Sequence, residues 1–176
     1  EAADEIYESA AEEARRLSQY LLEHGITLVD LGYAASLGGV GLFEVLNRGK
    51  IEFDRLFFEG VSFYEKSRLG GFLMTKIMLM KQQKGLKNPQ LAVRKMSKLF
   101  GEQAGEIMAE RFLKMDQRSI KNIVFDCSNV RLPEMNARLQ RSCIFSYGEK
   151  DSDLRLAKRK IPKMYPEARL VVDDGY

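Results

Sequence analysis

The chain has 176 residues, 45% of them apolar and 30% charged, with no Trp, one His and a formal charge of +3. This composition excludes collagen-like, coiled-coil and wholly disordered chains, and no apolar run approaches the ~20 residues of a membrane span. The single His24 excludes a histidine-rich metal site and any catalysis drawing two histidines from this chain.

The length suits one domain, or one domain carrying an insertion. Two cysteines, Cys127 and Cys143, make no disulfide framework and fit the free thiols of a reducing, cytoplasmic compartment. Charge is unevenly spread. Residues 62–136 hold 14 Lys and Arg against 7 Asp and Glu, whereas the remainder holds 14 against 18. A basic segment of this kind suits phosphate contacts. The aromatic interleaving of a single-strand platform is absent, however, so a solvated helical face is the expectation and no nucleic-acid partner is assigned. The chain opens at Glu1 without Met and closes on Leu170-Val171-Val172-Asp173-Asp174-Gly175-Tyr176, a strand entering a turn. Both ends are expected to be incomplete.

In chain order, residues 5–24 carry the first helix, with Ile6, Ala10, Ala14, Leu17 and Leu21 at threes and fours. Gly25 stands where a left-handed cap ends it, and His24 occupies its last turn as a structural residue. Residues 26–33 are short, β-branched and nearly all apolar, which predicts a strand buried on both faces. Helical spacing resumes over 40–46 until Asn47 and Gly49, and a second strand follows over 55–60. Helix, strand, helix and strand with short links predict βαβ units in a right-handed parallel sheet. Four helices are then expected near 66–84, 90–100, 103–115 and 117–126, in a block holding seven of the eight Met residues. A third strand over 142–148, a helix over 154–164 and a closing strand over 168–172 return the chain to the α/β pattern. An all-helical block thus interrupts an α/β core.

Ser36 is the residue with the strongest chemical signal. It stands between a strand and a helix, with Ala34 two before it and Gly38 two after. A nucleophile on a tight strand-to-helix turn is held in strained backbone geometry, and only small neighbours at those spacings let the chains pass. The same turn sets the Leu37 N–H at a helix N-terminus, where it can donate to an oxyanion. The plainer alternative is a serine that caps the helix beginning at Leu37.

Ala34-Ala35-Ser36-Leu37-Gly38 resembles the nucleophile elbow of the α/β-hydrolase family, with Ala in place of its first Gly. The resemblance runs on downstream. The helical insertion after Gly60 looks like the family's cap, and Gly148-Glu149-Lys150-Asp151 looks like the loop that delivers the triad acid. Tyr165-Pro166-Glu167-Ala168 looks like the approach to the catalytic histidine.

This resemblance implies a doubly wound parallel sheet over 1–61 and 137–176, with a helical cap over 62–136. It makes Ser36 the nucleophile and Asp151 the acid that orients a histidine, with Asp153 and Glu59 as rivals for the acid. That histidine is expected beyond Gly175-Tyr176. The implied activity is a serine hydrolase for an ester, thioester or amide of a small apolar acyl group, needing no cofactor and no metal. Methionine fills irregular apolar gaps, so a methionine stripe suits plain core; in a cap, Met74 and Met78 would line an acyl pocket. The alternative is a hydrolase-like binding or scaffold protein without turnover.

Overall fold

The computed structural model describes residues 6–174; the Gly175-Tyr176 pair lies outside them. The described chain divides into two compact units. Residues 9–67 and 126–174 form a sheet unit, and residues 6–8 and 68–125 form a helical unit. Segments 62–67 and 126–136 therefore group with the sheet unit. They are tied to one another there by the Ser67 N–H donating to the Ser128 carbonyl at 2.9 Å and Val130 N–H to that of Tyr64 at 2.8 Å.

The sheet unit begins with α1 (Ala10–Glu23). The helix starts later than periodicity suggests, because the Ser9 hydroxyl accepts from the Glu12 N–H at 3.1 Å and sets the N-cap there. Ala10, Ala14 and Ser18 form its buried stripe, while Leu17 is exposed. These small residues pack the helix closely, so Leu17 is not needed as filler. Gly25 adopts the left-handed conformation just past the helix, with φ +72°.

Two short strands follow, β1 (Leu28–Val29) and β2 (Gly32–Ala35), then α2 (Leu37–Arg48). The single strand expected at 26–33 is thus two pieces, and it is not buried on both faces. β2 alternates between buried Gly32 and Ala34 and outward Tyr33 and Ala35, the pattern of a strand packed on one face only. β3 (Glu52–Phe53) pairs with β1, a two-residue ladder too short to leave a periodic signal. β4 (Leu56–Glu59) comes next.

The helical unit holds α3 (Arg68–Lys87), α4 (Pro89–Phe100), α5 (Glu102–Lys114) and most of α6 (Gln117–Ser128). Asn88 caps α4 through its side chain, with Pro89 in the first turn. α4 and α5 pack very closely. A β-carbon at Gly105 would lie 2.4 Å from the Ser97 Cα. Buried Gln82 of α3 donates its amide to the carbonyls of Phe112 and Met115 at 3.0 and 2.6 Å, closing the end of α5.

The chain returns to the sheet unit through a short α7 (Ala137–Arg141), then β5 (Cys143–Gly148), α8 (Leu154–Met164) and β6 (Arg169–Asp173). Strands β2, β4, β5 and β6 lie in that order, every pair parallel. The core beneath them is aromatic. Phe58 stacks on Phe145 with centroids 5.0 Å apart, Phe145 on Tyr165 at 5.7 Å, and Phe43 meets Phe58 at 4.7 Å. The buried phenols find acceptors: Tyr147 donates to the Val61 carbonyl at 2.6 Å and Tyr165 to that of Pro133 at 2.9 Å.

Candidate active site

All four strands of the larger sheet run the same way, so their carboxyl ends share one edge. In open α/β sheets that edge is where ligands bind. Register fixes what stands there. Ala35 pairs with Glu59, and Glu59 with Ser146, so Ser36, Gly60 and Tyr147 form the next row outward.

Ser36 is the one residue between β2 and α2, and its backbone is strained, with φ +48° and ψ −119°. A non-glycine residue in this region costs on the order of 1–3 kcal/mol and persists only where its surroundings impose it. Two bonds do so: the Ser36 N–H donates to the Glu59 carbonyl at 2.8 Å, and its own carbonyl accepts from the Gly39 N–H at 3.0 Å. The side chain is exposed and makes no capping bond to α2. The capping alternative is thereby excluded.

Small neighbours make the turn possible. A β-carbon at Gly38 would meet that of Ala34 at 3.9 Å, so these flanking positions do face each other. Gly39 matters more. A β-carbon there would lie 2.5 and 2.8 Å from the Val61 side chain, which is buried. Glycine at 39 lets the start of α2 settle against the segment that follows β4. Leu37 opens α2, and its N–H is one of the first-turn amides that a helix leaves without an internal acceptor.

Asp151 follows β5 in a tight turn. Its N–H donates to the Gly148 carbonyl at 3.0 Å, and its Oδ1 accepts from the Asp153 N–H at 2.8 Å. Its other oxygen, Oδ2, lies 3.1 Å from where a β-carbon would stand on Gly60. Ser36 and Asp151 therefore both converge on the Glu59–Gly60 end of β4, one through its amide and the other through its carboxylate. Gly60, at φ +57°, leaves room for that carboxylate.

The rival acids are placed differently. Glu59 accepts a hydrogen bond from the Tyr33 phenol at 2.5 Å, and this bond raises the phenol above its usual range. Asp153 precedes α8 without capping it. Burial, with the adjacent Asp151 charge, pushes its carboxyl up to about 6. Asp151, the acid expected from the sequence, and its rival Asp153 are both half-buried; what marks Asp151 is that its Oδ2 faces Gly60.

The remaining candidates lie elsewhere. His24 closes α1, its Nδ1 2.8 Å from the Tyr20 carbonyl and its ring 4.1 Å from that of Tyr20. The chain crosses β1 and β2 before it reaches Ser36. Met74 and Met78 both belong to α3 of the helical unit, Met74 exposed and Met78 half-buried. Cys143 is buried in β5, and Cys127 lies inside α6 rather than after it. Burial pushes their thiols up to about 12 and about 11, which disfavours the reactive thiolate. Among the described residues there is no cluster of His, Cys, Asp and Glu able to hold a metal ion. No described helix is long and apolar enough to cross a membrane.

Sequence reasoning missed two hydrogen-bonded pairs at this edge, Tyr33 with Glu59 and buried Ser146 with Asp173 at 2.7 Å. Their partners are far apart in sequence, and only the register brings them together.

No family model matches the sequence, and no curated protein is detectably similar to it. Solved structures are similar in fold. An alpha/beta hydrolase family protein from Desulfitobacterium hafniense matches with a TM-score of 0.60 at 15% identity, over 97% of this chain and 69% of its own. A thermophilic esterase from Thermogutta terrifontis matches with a TM-score of 0.65 at 12% identity, over 97% of this chain and 65% of its own. MGS-M2, an alpha/beta hydrolase from a Medee basin deep-sea metagenome library, matches with a TM-score of 0.67 at 14% identity and the same coverage. The chain thus spans about two thirds of the length of these structures. Parallel strands, a strained strand-to-helix turn and an inserted helical unit, superposed over nearly the whole chain, give one conclusion: this chain has the α/β-hydrolase fold.

Proposed function

We propose that the chain carries the nucleophile and the acid of a serine hydrolase acting on an ester, thioester or amide of a small apolar acyl group. The observation that supports this best is Ser36 itself, exposed, uncapped and held at φ +48° at the carboxyl edge of a parallel sheet. Strain of this kind is retained where function needs the geometry.

In this reading the Ser36 hydroxyl oxygen attacks the acyl carbonyl carbon, and its proton passes to a histidine base. The carbonyl oxygen becomes an oxyanion, which the Leu37 N–H at the head of α2 stabilises as the charge develops. Collapse of this intermediate expels the leaving group with the proton returned from the base, and water then releases the acyl group by the reverse sequence. Asp151 orients the base and offsets its positive charge. The base is a histidine from outside residues 1–176, since His24 is engaged at the end of α1. Selection of the acyl group is assigned to the helical unit in the role of a cap, through Met74 and Met78. Free thiols at Cys127 and Cys143 accord with a reducing, cytoplasmic setting.

The test is covalent labelling of the full-length protein with a fluorophosphonate. Ser36→Ala should abolish labelling and leave the thermal midpoint nearly unchanged, because the hydroxyl makes no capping bond. Labelling that survives the substitution overturns the nucleophile assignment. A parent protein that never labels favours the binding or scaffold reading.

A further inference from the structure

The helices α3 and α4 share an unusual charge pattern. Residues 68–100 contain eight cations, Arg68, Lys76, Lys81, Lys84, Lys87, Arg94, Lys95 and Lys98, and not one Asp or Glu. All eight are exposed. Among them stand large apolar side chains that are equally exposed: Leu69 at 83%, Phe72, Leu73, Met80, and at the end of α4 Leu99 at 74% and Phe100.

On α3 the two kinds of residue share a face. The inner stripe is Gly71, Gln82 and Gly85, all buried. At 100° per residue, Leu69, Leu73, Lys76, Met80, Lys84 and Lys87 fall on the opposite side. Lys76 Nζ sits 4.4 Å above the Phe72 ring centre, so even the apolar end of this face carries a cation. The N-terminal half is mainly apolar and the C-terminal half is cationic.

We propose that this face of α3, with the exposed end of α4, docks on the surface of an anionic lipid bilayer. Apolar side chains enter the acyl boundary while lysines remain among the headgroups, the arrangement of an interfacial helix. Charge selects this occupant over a second copy of the chain, because self-association through the face would bring Lys76, Lys84 and Lys87 against their own copies with no Asp or Glu of residues 68–100 to offset them. Phosphates of a nucleic acid would satisfy the lysines but leave Leu69, Leu73 and Met80 in water. A negatively charged membrane satisfies both sets.

The experiment is flotation of the full-length protein with vesicles of equal parts phosphatidylcholine and phosphatidylserine, beside vesicles of phosphatidylcholine alone. The protein should float with the mixed vesicles and not with the neutral ones, and added salt should release it. The triple variant Lys76→Gln, Lys84→Gln, Lys87→Gln should weaken partition roughly a hundredfold, from the attraction of each lysine to an anionic surface. The double variant Leu73→Ser, Met80→Ser keeps every charge and should weaken it on the order of tenfold or more through lost apolar burial. Both variants change exposed side chains, so circular dichroism melts should match the parent. Equal flotation with both vesicles, flotation with neither, or flotation that both variants leave intact overturns the proposal. So does a dimer in light scattering that the double variant dissolves. Ser36→Ala should float like the parent, so the membrane result and the hydrolase reading fail independently.

Discussion

In the sheet unit an aromatic core points inward: Phe43, Phe58, Phe63, Phe145, Tyr147 and Tyr165 are all fully buried. In α3 and α5 of the helical unit the inward positions, Gln82 apart, belong to small side chains. Gly71, Gly85, Gly105 and Ala109 lie inside, whereas Leu69, Phe72, Leu73, Met80, Leu99 and Phe100 lie outside. Small residues let helix backbones approach closely but bury little apolar area per contact. The sheet unit therefore rests on area removed from water and the helical unit more on close backbone approach. A methionine-rich helix is not by that fact a core helix. Here much of the apolar surface of α3 remains exposed.

The contrast breaks most directly at two phenylalanines. Phe58→Ala removes a ring with no exposure, packed between Phe43 and Phe145, and should cost about 3–5 kcal/mol in chemical denaturation. Phe72→Ala, on the outer face of α3, should shift stability by no more than about 0.5 kcal/mol. Equal losses would show that α3 buries Phe72 in solution, and the two units would then not differ as described.

Two glycines sharpen the comparison at the next level. Gly39→Ala pushes a methyl into the Val61 side chain, and Gly105→Ala pushes one into the Ser97 backbone. Each should cost about 1–3 kcal/mol by overpacking. Gly39→Ala should in addition suppress fluorophosphonate labelling, because it displaces the start of α2 on which Ser36 and Leu37 depend. Gly105→Ala should leave labelling unchanged. A neutral Gly105→Ala would mean that α4 and α5 are not in close contact.

The smallest effect separates the units by charge. Asp153 keeps its proton up to about 6 instead of 3.8, because burial and the Asp151 charge penalise the anion. Its anion therefore lowers stability: the native state is best off below 3.8, and the contribution is lost as pH rises through about 6. Asp153→Asn should melt above the parent at neutral pH, by less than about 1 kcal/mol after screening, and equal it near pH 3.8. The comparison site in the helical unit runs the other way. Exposed Glu110 is lowered by its bond to Lys114, so Glu110→Gln should lose slightly at neutral pH and match the parent in acid.

Much of the fold was legible because local signals and tertiary demands agree. The helix expected over 154–164 matches α8, and that expected over 90–100 matches α4 within a residue, since periodicity and caps mark their ends. The strands at 55–60 and 142–148 are β4 and β5, where apolar runs meet burial, at Leu56 and Phe58 in one and Cys143, Phe145 and Tyr147 in the other. The two-residue strand β3 and the five-residue α7 escaped, since so short an element contains no full period. At the candidate site, Ser36 stood out because the chemistry of an elbow demands small residues two before and two after it.

What the sequence by itself determined is therefore what depends on near neighbours: the turn at Ser36, the glycines around it, the helix caps and the basic charge of 62–136. Tertiary structure decided everything that depends on who stands across a strand or a helix face. It set the Asp151 carboxylate against Gly60, engaged Glu59 with Tyr33, and turned the apolar side of α3 outward. Composition cannot predict these outcomes, because burial and register arise from contacts between residues tens of positions apart.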